Sequence, residues 1–88
     1  MTYKQATASH IAALAALGWA TSPALKVPHA TSPCGSMRLF FKAQAVYAAP
    51  GRAALGQARS LHVDSRTVDT AALVSEGRAL ATFLASAY

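Results

Sequence analysis

The segment MRLFFKAQAVY, residues 37–47, constrains the fold of this chain more than any other stretch of the sequence. Side chains in a β-strand point alternately to opposite faces of the sheet, so each face can be read separately. One face presents the apolar set Met37, Leu39, Phe41, Ala43, Ala45 and Tyr47. The other presents Arg38, Phe40, Lys42, Gln44 and Val46. We therefore predict one strand over the whole segment, with a core face and a basic, aromatic opposite face.

Helices are predicted near both ends of the chain. Thr2 and Gln5 match a capping box, and Gly18 suits the residue after a helix, so the first helix is predicted over Tyr3–Leu17, with Trp19 folding back on it. Thr67 or Asp69 caps the last helix. Its apolar stripe is Leu73, Val74, Leu80, Ala81, Leu84 and Ala87, with Phe83 at the margin.

Gly77 stands inside this last helix, where glycine costs about 1 kcal/mol relative to alanine. Close approach of the helix to the sheet or to another helix would explain a glycine at this position. Simple tolerance of the glycine is the alternative.

The remaining segments are predicted as connectors and one further strand. ATSP occurs at residues 20–23 and 30–33, and prolines favour extended backbone there, with a short edge strand at Leu25–Val27. The segment APGRAALGQA, residues 49–58, is too long for a tight hairpin turn and holds one helical turn around Arg52–Leu55. SLHVDSR, residues 60–66, is predicted as the second strand, with Leu61 and Val63 inward and His62, Asp64 and Arg66 outward.

The chain has 88 residues, which suits one small domain over residues 1–88. The element order is helix, extended segment, strand, strand, helix. This order predicts an α+β fold in which a two- or three-stranded antiparallel sheet packs against two helices on one face. Much of the 53% hydrophobic composition is alanine, so the core must rest on larger side chains. These are Ile11, Leu14, Leu17, Trp19, Leu39, Phe41, Tyr47, Leu61, Val63, Leu73, Leu80 and Leu84.

The charge is lopsided, with eight Lys and Arg against three Asp and Glu and a net charge of +5. The basic residues are spread from Lys4 to Arg78 and form no charged tail. Such a balance favours an anionic partner, which can be nucleic acid, a ribonucleoprotein or an acidic protein surface. The alternative is that the charge only keeps an apolar domain soluble.

The compartment predicted from sequence is the cytoplasm. Lys4 before IAALAALGWA loosely resembles a signal peptide, but a single lysine and His10 beside the apolar run argue against one. That run is about half the length needed to cross a bilayer, so a soluble helix and no membrane association are predicted. Cys34 is the only cysteine, which excludes an intramolecular disulfide and suits a reducing interior.

Catalytic and metal-binding patterns are weak in this sequence. Cys34 with His29 or His62, oriented by Asp64, has the residue types of a thiol–imidazole pair but not the local signature of one. His10 and these residues are scattered singly, unlike the close-spaced pairs of zinc sites. Phosphate-binding glycine motifs do not occur. We therefore predict a non-enzymatic protein with no cofactor and no metal, in which Cys34 is a buried or incidental thiol.

The open sheet face is the remaining candidate site. Pairing of the two predicted strands would join Asp64 and its neighbours to the basic, aromatic face, with loop arginines at the rim. The predicted partner-binding residues are Arg38, Phe40, Lys42, Gln44, Arg52, Arg59, His62 and Arg66. The alternatives are a merely solvated face, a cross-strand pair between Asp64 and Arg38 or Lys42, or cover over Phe40.

Three functions fit these expectations. The first is a small protein-binding module, an inhibitor of a nucleic-acid-handling protein or ribonucleoprotein complex, of the class encoded by phages and mobile elements that includes anti-CRISPR proteins. Its basis is small size, alanine-rich composition and the lack of catalytic motifs. The second is direct RNA or DNA binding. The third is a homo-oligomeric structural protein, such as a homodimer, that buries Phe40 and the last helix between subunits.

Overall fold

The computed structural model of the chain describes residues 2–22, 27–42 and 44–87. Its elements are α1 (Tyr3–Ala16), β1 (Ala20–Ser22), β2 (His29–Thr31), β3 (Met37–Lys42), β4 (Ala45–Pro50), a 3₁₀ turn (Leu55–Gln57), β5 (Arg59–Ser60) and α2 (Thr70–Ala87). The strands form one antiparallel sheet in the order β1-β2-β3-β4-β5, so every neighbour in the sheet is a neighbour in sequence. On one face, α1 packs over β1 and β2, and α2 packs over β3 and β4. The predicted α+β class is confirmed.

The predicted number of strands is too low. Two additional strands, β1 and β2, come from the segment that was expected to be a connector. They contain the repeated Ala-Thr pairs of the two ATSP motifs, and Ala20 lies opposite Thr31 while Thr21 lies opposite Ala30. Strands β1 and β2 therefore run antiparallel, and β2 lies beside β3. The predicted edge strand at Leu25–Val27 lies largely on residues 23–26, outside the described part of the chain.

The prediction of one continuous strand over residues 37–47 is wrong, because the chain forms a hairpin there. Lys42 at the end of β3 lies opposite Ala45 at the start of β4, and Gln44 lies in a turn. Directly opposed residues in an antiparallel pair share a face. The inward positions are therefore odd-numbered in β3 and even-numbered in β4. Val46 accordingly lies in the main core and Tyr47 lies beside Phe40 on the opposite face, whereas Ala43 is outside the described residues.

The second predicted strand, residues 60–66, is also wrong. Strand β5 contains only Arg59 and Ser60, and residues 61–64 have no regular structure, with a φ of 56° at His62. The chain then runs to the helices, where the backbone oxygen of Ser65 accepts a hydrogen bond from His10. The helical turn expected around Arg52–Leu55 occurs slightly later, as the 3₁₀ turn at Leu55–Gln57.

The helix boundaries follow their capping residues closely. Thr2 and Gln5 form the predicted capping box. At the other end of α1, Gly18 has a φ of 90°, and the amides of Gly18 and Trp19 donate to the oxygens of Ala15 and Leu14. These two bonds form a Schellman motif, which turns Trp19 back into the core as predicted.

The carboxylate of Asp69 caps α2 and accepts from the amide of Ala72 at 2.7 Å. Of the two predicted caps, Asp69 is therefore the one that precedes the helix directly.

The core lies between the sheet and the helices, and its fully buried side chains include Leu14, Met37, Leu39, Val46 and Leu73. Two members of the predicted core are wrongly placed. Leu17 is 63% exposed because α1 ends before it, and Tyr47 lies on the opposite sheet face. The side chain of Ala87, which was assigned to the stripe of α2, is outside the described part of the chain.

Gly77 faces the sheet. A Cβ atom at this position would lie 2.7 Å from Cδ2 of Leu39 and 2.9 Å from Cε of Met37. The missing side chain thus lets α2 approach β3 closely, as one of the two sequence interpretations predicts. None of the described helices combines the length and apolar character needed to cross a membrane.

Candidate functional site

The alternation predicted for β3 is confirmed up to the hairpin turn. Met37, Leu39 and Phe41 lie in the core under the helices. Arg38, Phe40 and Lys42 therefore share the opposite face, which we call the open face. In the sheet register, His29 of β2 and Tyr47 of β4 lie on either side of Phe40 and extend this face across three strands.

Phe40 itself is not exposed. It is only 5% exposed and forms a second, smaller core with Ala49 and Ala58, against which Val27, Tyr47, Ala53 and Leu55 pack. The ring of His29 lies 5.3 Å from the Phe40 ring in a tilted arrangement. The chain that connects β4 to β5 thus folds over the sheet and covers Phe40. Phe40 stabilises the fold, and the expected exposed aromatic anchor is absent at this position.

The structure separates the eight predicted partner-binding residues. Arg38 and Arg52 line one groove, Lys42 is exposed at the end of β3, and Gln44 is exposed in the hairpin turn, off the strand face. Arg59 lies on the edge strand β5, and His62 lies in the exposed segment that follows it. The expected surface that joins β3 to residues 62–66 does not form, because β2 and β4 occupy both sides of β3.

Arg66 belongs to a different contact. It forms an ion pair with Asp64 at 3.1 Å, and its guanidinium lies 4.1 Å from the ring centre of Tyr3 in α1. The hydrogen bond from the Arg66 side chain lowers the pKa of the Asp64 carboxyl, and the backbone amide of Arg66 adds to the effect. This pair fastens the segment after β5 to the start of α1. The charge of Arg66 is already engaged by Asp64.

Three arginines surround the turn Ser32–Ser36 that joins β2 to β3, and we call Arg38, Arg52 and Arg78 the basic cluster. Nε of Arg38 donates to Oγ1 of Thr31 at 3.0 Å, on one side of the turn. The Arg52 guanidinium lies against Gly35, where a Cβ atom would be 3.2 Å from its Nε. Nη1 of Arg78, from α2, donates to Oγ of Ser36 at 3.4 Å.

The basic cluster has no acidic partner within the described ranges. The one ion pair found there joins Arg66 to Asp64, and Asp69 is engaged at the start of α2. The cluster therefore combines cations from three separate parts of the sequence without neutralising them. Such a concentration of like charge creates a positive potential that attracts anions.

Ser32 holds the turn in place. Its Oγ accepts hydrogen bonds from the backbone amides of Ser36 at 2.9 Å and Met37 at 3.2 Å. Gly35 has a φ of 70°, a conformation that glycine adopts readily. The closeness of the Arg52 side chain also favours a residue without a side chain at this position. The scaffold beneath the basic cluster is thus fixed by local hydrogen bonds.

Two surface hollows flank the turn. The first, which we call the Arg38 groove, has a volume of about 270 Å³ and is lined by Gly18, Ala20, Thr31, Ser32, Pro33, Arg38 and Arg52. The second has a volume of about 380 Å³, with Met37 and Ala81 at its apolar base and Ser36 and Arg78 among its polar lining. Two members of the basic cluster line the first hollow and the third lines the second.

Cys34 is exposed at the tip of the same turn. Of the two predictions for this thiol, buried or incidental, burial is therefore wrong. Oγ of Ser36 lies 3.0 Å from its Sγ. Hydrogen bonding from the Ser36 side chain is the main cause that lowers the pKa of the Cys34 thiol to about 7, and the Ser36 backbone contributes next. Within the described residues the thiol is hydrogen-bonded to serines, and His29 instead contacts the backbone oxygen of Val27. No thiol–imidazole pair is formed among them.

The reactivity of Cys34 should follow this pKa. We expect the rate of alkylation by iodoacetamide to rise with pH and to reach half its maximum near pH 7, because the thiolate is the reacting species. Ser36→Ala should move the midpoint towards the ordinary thiol value of about 8.5. Initial rates followed by mass spectrometry across a pH series test this, with Ser75→Ala on α2 as the control. A midpoint that Ser36→Ala does not move would contradict the assigned cause.

His10 serves the fold. It is 6% exposed, and its ring stacks on Phe41 with the centres 5.9 Å apart. Nε2 lies 2.8 Å from the backbone oxygen of Ser65, which can only accept, so Nε2 carries a proton. In the neutral ring, Nδ1 then accepts from Oγ1 of Thr70 at 2.7 Å. In the described part of the chain, no group of three His, Cys, Asp or Glu side chains is placed to hold a metal ion.

Thr31 and Arg78 are the two site residues that the sequence analysis did not select. Thr31 could have been found by pairing the ATSP motifs as strands, since the β2–β3 register places it opposite Arg38. Arg78 gives no comparable signal, because its contact with Ser36 depends on how α2 crosses the sheet.

Comparisons with protein families, with curated proteins and with solved structures find no match to this chain.

Proposed function

We propose that this protein is a non-enzymatic binding protein that holds nucleic acid, alone or within a ribonucleoprotein complex, through the basic cluster. The observation that carries the proposal is that Arg38 and Arg52 line one groove beside the turn after β2, that Arg78 contacts the same turn at Ser36, and that no acidic side chain is paired to them in the described residues. Arginine suits phosphate because its planar guanidinium donates two parallel hydrogen bonds.

The surface around the basic cluster supports a polyanionic partner. Lys42 shares the open face with Arg38 and adds a cation at the far end of β3. Between them lie the half-buried rings of His29 and Tyr47, which can stack against an unpaired base. The net charge of +5 acts in the same direction over a longer range.

A second candidate is binding to a protein, as an inhibitor of a nucleic-acid-handling complex of the phage-encoded or anti-CRISPR class. The observation that favours protein binding is the 68% exposure of Phe83 on α2. Large aromatic side chains are frequent anchors of protein interfaces. The buried position of Phe40 removes one of the contact residues predicted for this candidate. Both candidates place the protein in a reducing cytoplasm.

Fluorescence anisotropy with labelled single-stranded and duplex RNA and DNA at low salt tests the proposal. Two double variants remove the same charge: Arg38→Gln with Arg52→Gln, the cluster variant, and Lys4→Gln with Arg59→Gln, the remote variant. We expect the cluster variant to bind at least about tenfold more weakly than the wild type, because hydrogen bonds to charged groups contribute about 1.5–3 kcal/mol each. The remote variant should change affinity only slightly.

Equal weakening by both variants would show that net charge alone attracts the probe, and the cluster would then have no special role. Absence of binding to every probe would exclude the proposed function. In that case Phe83→Ser becomes the informative variant, since the inhibitor candidate predicts that it abolishes recovery of a protein partner from the native host.

A further inference from the structure

We infer, resting on the proposed function, that the Arg38 groove is a binding site for one phosphate group, held jointly by Arg38, Arg52 and the hydroxyl of Thr31. The groove is lined by all three residues. Its volume of about 270 Å³ lies just below the range of about 300–1,000 Å³ that is usual for drug-sized ligands. It is therefore suited to one small group of a longer partner.

Arg38 is oriented for this role before any ligand arrives. Arg38 is half-buried, and its Nε donates to Oγ1 of Thr31 at 3.0 Å. That bond fixes the plane of the guanidinium and leaves the two Nη groups, which have no acceptor among the described residues. A guanidinium with its Nε engaged and its Nη pair free can bind two oxygens of one phosphate. Because this bond already orders the Arg38 side chain, binding a phosphate would lose less side-chain entropy.

Thr31 supplies the second reason. Its side chain is mostly buried, with 8% of the residue exposed, and its Oγ1 already accepts from Arg38. A hydroxyl that accepts one bond still has a proton to donate, and no acceptor for it is present in the described part of the chain. Because Thr31 lines the groove, this hydroxyl can donate to an oxygen of an anion bound there.

Arg52 completes the site from the other side. Its guanidinium lies against Gly35, which carries no side chain that could displace it. Arg52 is exposed and has no acidic partner among the described residues, so its charge is available to the groove. Three donors from β2, β3 and the loop after β4 approach the groove from different directions, which suits the tetrahedral oxygens of a phosphate group better than the coplanar oxygens of a carboxylate.

Titration of the ¹⁵N-labelled protein with inorganic phosphate, at constant ionic strength, tests the assignment by amide chemical shifts. We expect the shifts to concentrate at Gly18, Thr31 and Ser32 and to be larger with phosphate than with acetate. Thr31→Val keeps the shape but removes the hydroxyl, and should weaken phosphate binding several-fold. Thr21→Val, on the neighbouring strand and the opposite face, is the matched control and should leave it unchanged. The same spectra report whether each variant is folded.

Oligonucleotides with and without a 5′-phosphate then distinguish the source of the group. Equal groove shifts from both indicate an internal phosphodiester, shifts from the phosphorylated form alone indicate a chain end, and shifts from inorganic phosphate alone indicate a free ion. Each of these supports the groove, and the last, when no oligonucleotide binds, excludes the proposed nucleic-acid function. Oligonucleotide binding with groove shifts from neither the oligonucleotides nor inorganic phosphate would overturn the groove assignment and leave nucleic-acid binding intact. Acetate and phosphate giving equal shifts, or Thr31→Val binding phosphate like the wild type, would also overturn it.

Discussion

Phe40→Ala should destabilise the protein by about 3 kcal/mol or more, since truncation of a buried phenylalanine typically costs about 3–5 kcal/mol. Phe40 is 5% exposed, and its removal would leave a cavity between the sheet and the loop that covers it. A domain of this size has only about 4–13 kcal/mol of stability in total. The loss should therefore lower Tm by more than about 10 °C in thermal unfolding followed by circular dichroism.

Phe83→Ala is the matched control, because it deletes the same atoms from a side chain that is 68% exposed. We expect its effect on the free energy of unfolding to stay within about 0.5 kcal/mol. The pair separates the two interpretations of the basic, aromatic strand. If Phe40→Ala were as mild as Phe83→Ala, Phe40 would be an exposed contact residue after all.

Gly77→Val should be the most disruptive change on α2. A Cβ atom alone would lie 2.7 Å from Leu39 and 2.9 Å from Met37, and both of these side chains are fully buried. For Gly77→Ala, overpacking of about 1–3 kcal/mol opposes a gain in helix propensity of about 1 kcal/mol, so the net loss is at most about 2 kcal/mol. Valine adds two further carbons at the same place. We expect a loss of about 3 kcal/mol or more.

Ala79→Val places the same side chain on the exposed side of the same helix. Its cost should be limited to the lower helix propensity of valine, about 0.5 kcal/mol. Urea unfolding of both variants, at unchanged m-value, measures the difference. Similar midpoints for Gly77→Val and Ala79→Val would contradict the close approach of α2 to β3.

Local signals in the sequence predicted what depends on local chemistry. The capping box at Thr2, the glycine at position 18 and the alternation over Met37–Lys42 are all realised as expected. Each depends on a few adjacent residues whose hydrogen bonds or side-chain directions are set by backbone geometry. The α+β class followed from them.

The alternation of apolar and polar residues over positions 37–47 does not reveal the hairpin between β3 and β4. Its turn lacks the Asn-Gly or Asp-Gly signal that marks tight hairpins, so the apolar pattern continues across it. The turn inverts the phase of the pattern, which placed Tyr47 and Val46 on the wrong faces. The two short strands β1 and β2 were hidden for a related reason, because three residues are too few to show a period.

The basic cluster depends on tertiary packing and was predicted only in part. Arg38 and Arg52 were selected for their charge near a strand, and the fold of the loop after β4 brings them to one groove. His62 and Arg66 were selected because a second strand was expected, and the chain leaves the sheet before reaching them. Charge identifies candidate residues in a sequence, but the fold determines which of them meet.

The salt dependence of nucleic-acid binding tests the central proposal most directly. For a single strand, the slope of log K against log salt concentration changes by about 0.7 for each phosphate contact. The cluster variant, Arg38→Gln with Arg52→Gln, removes both arginines that hold one phosphate, so its slope should be shallower than the wild-type slope by about 0.7 between about 50 and 200 mM salt. The remote variant, Lys4→Gln with Arg59→Gln, should keep the wild-type slope. A cluster variant with the wild-type slope would contradict the proposal that these arginines hold phosphates.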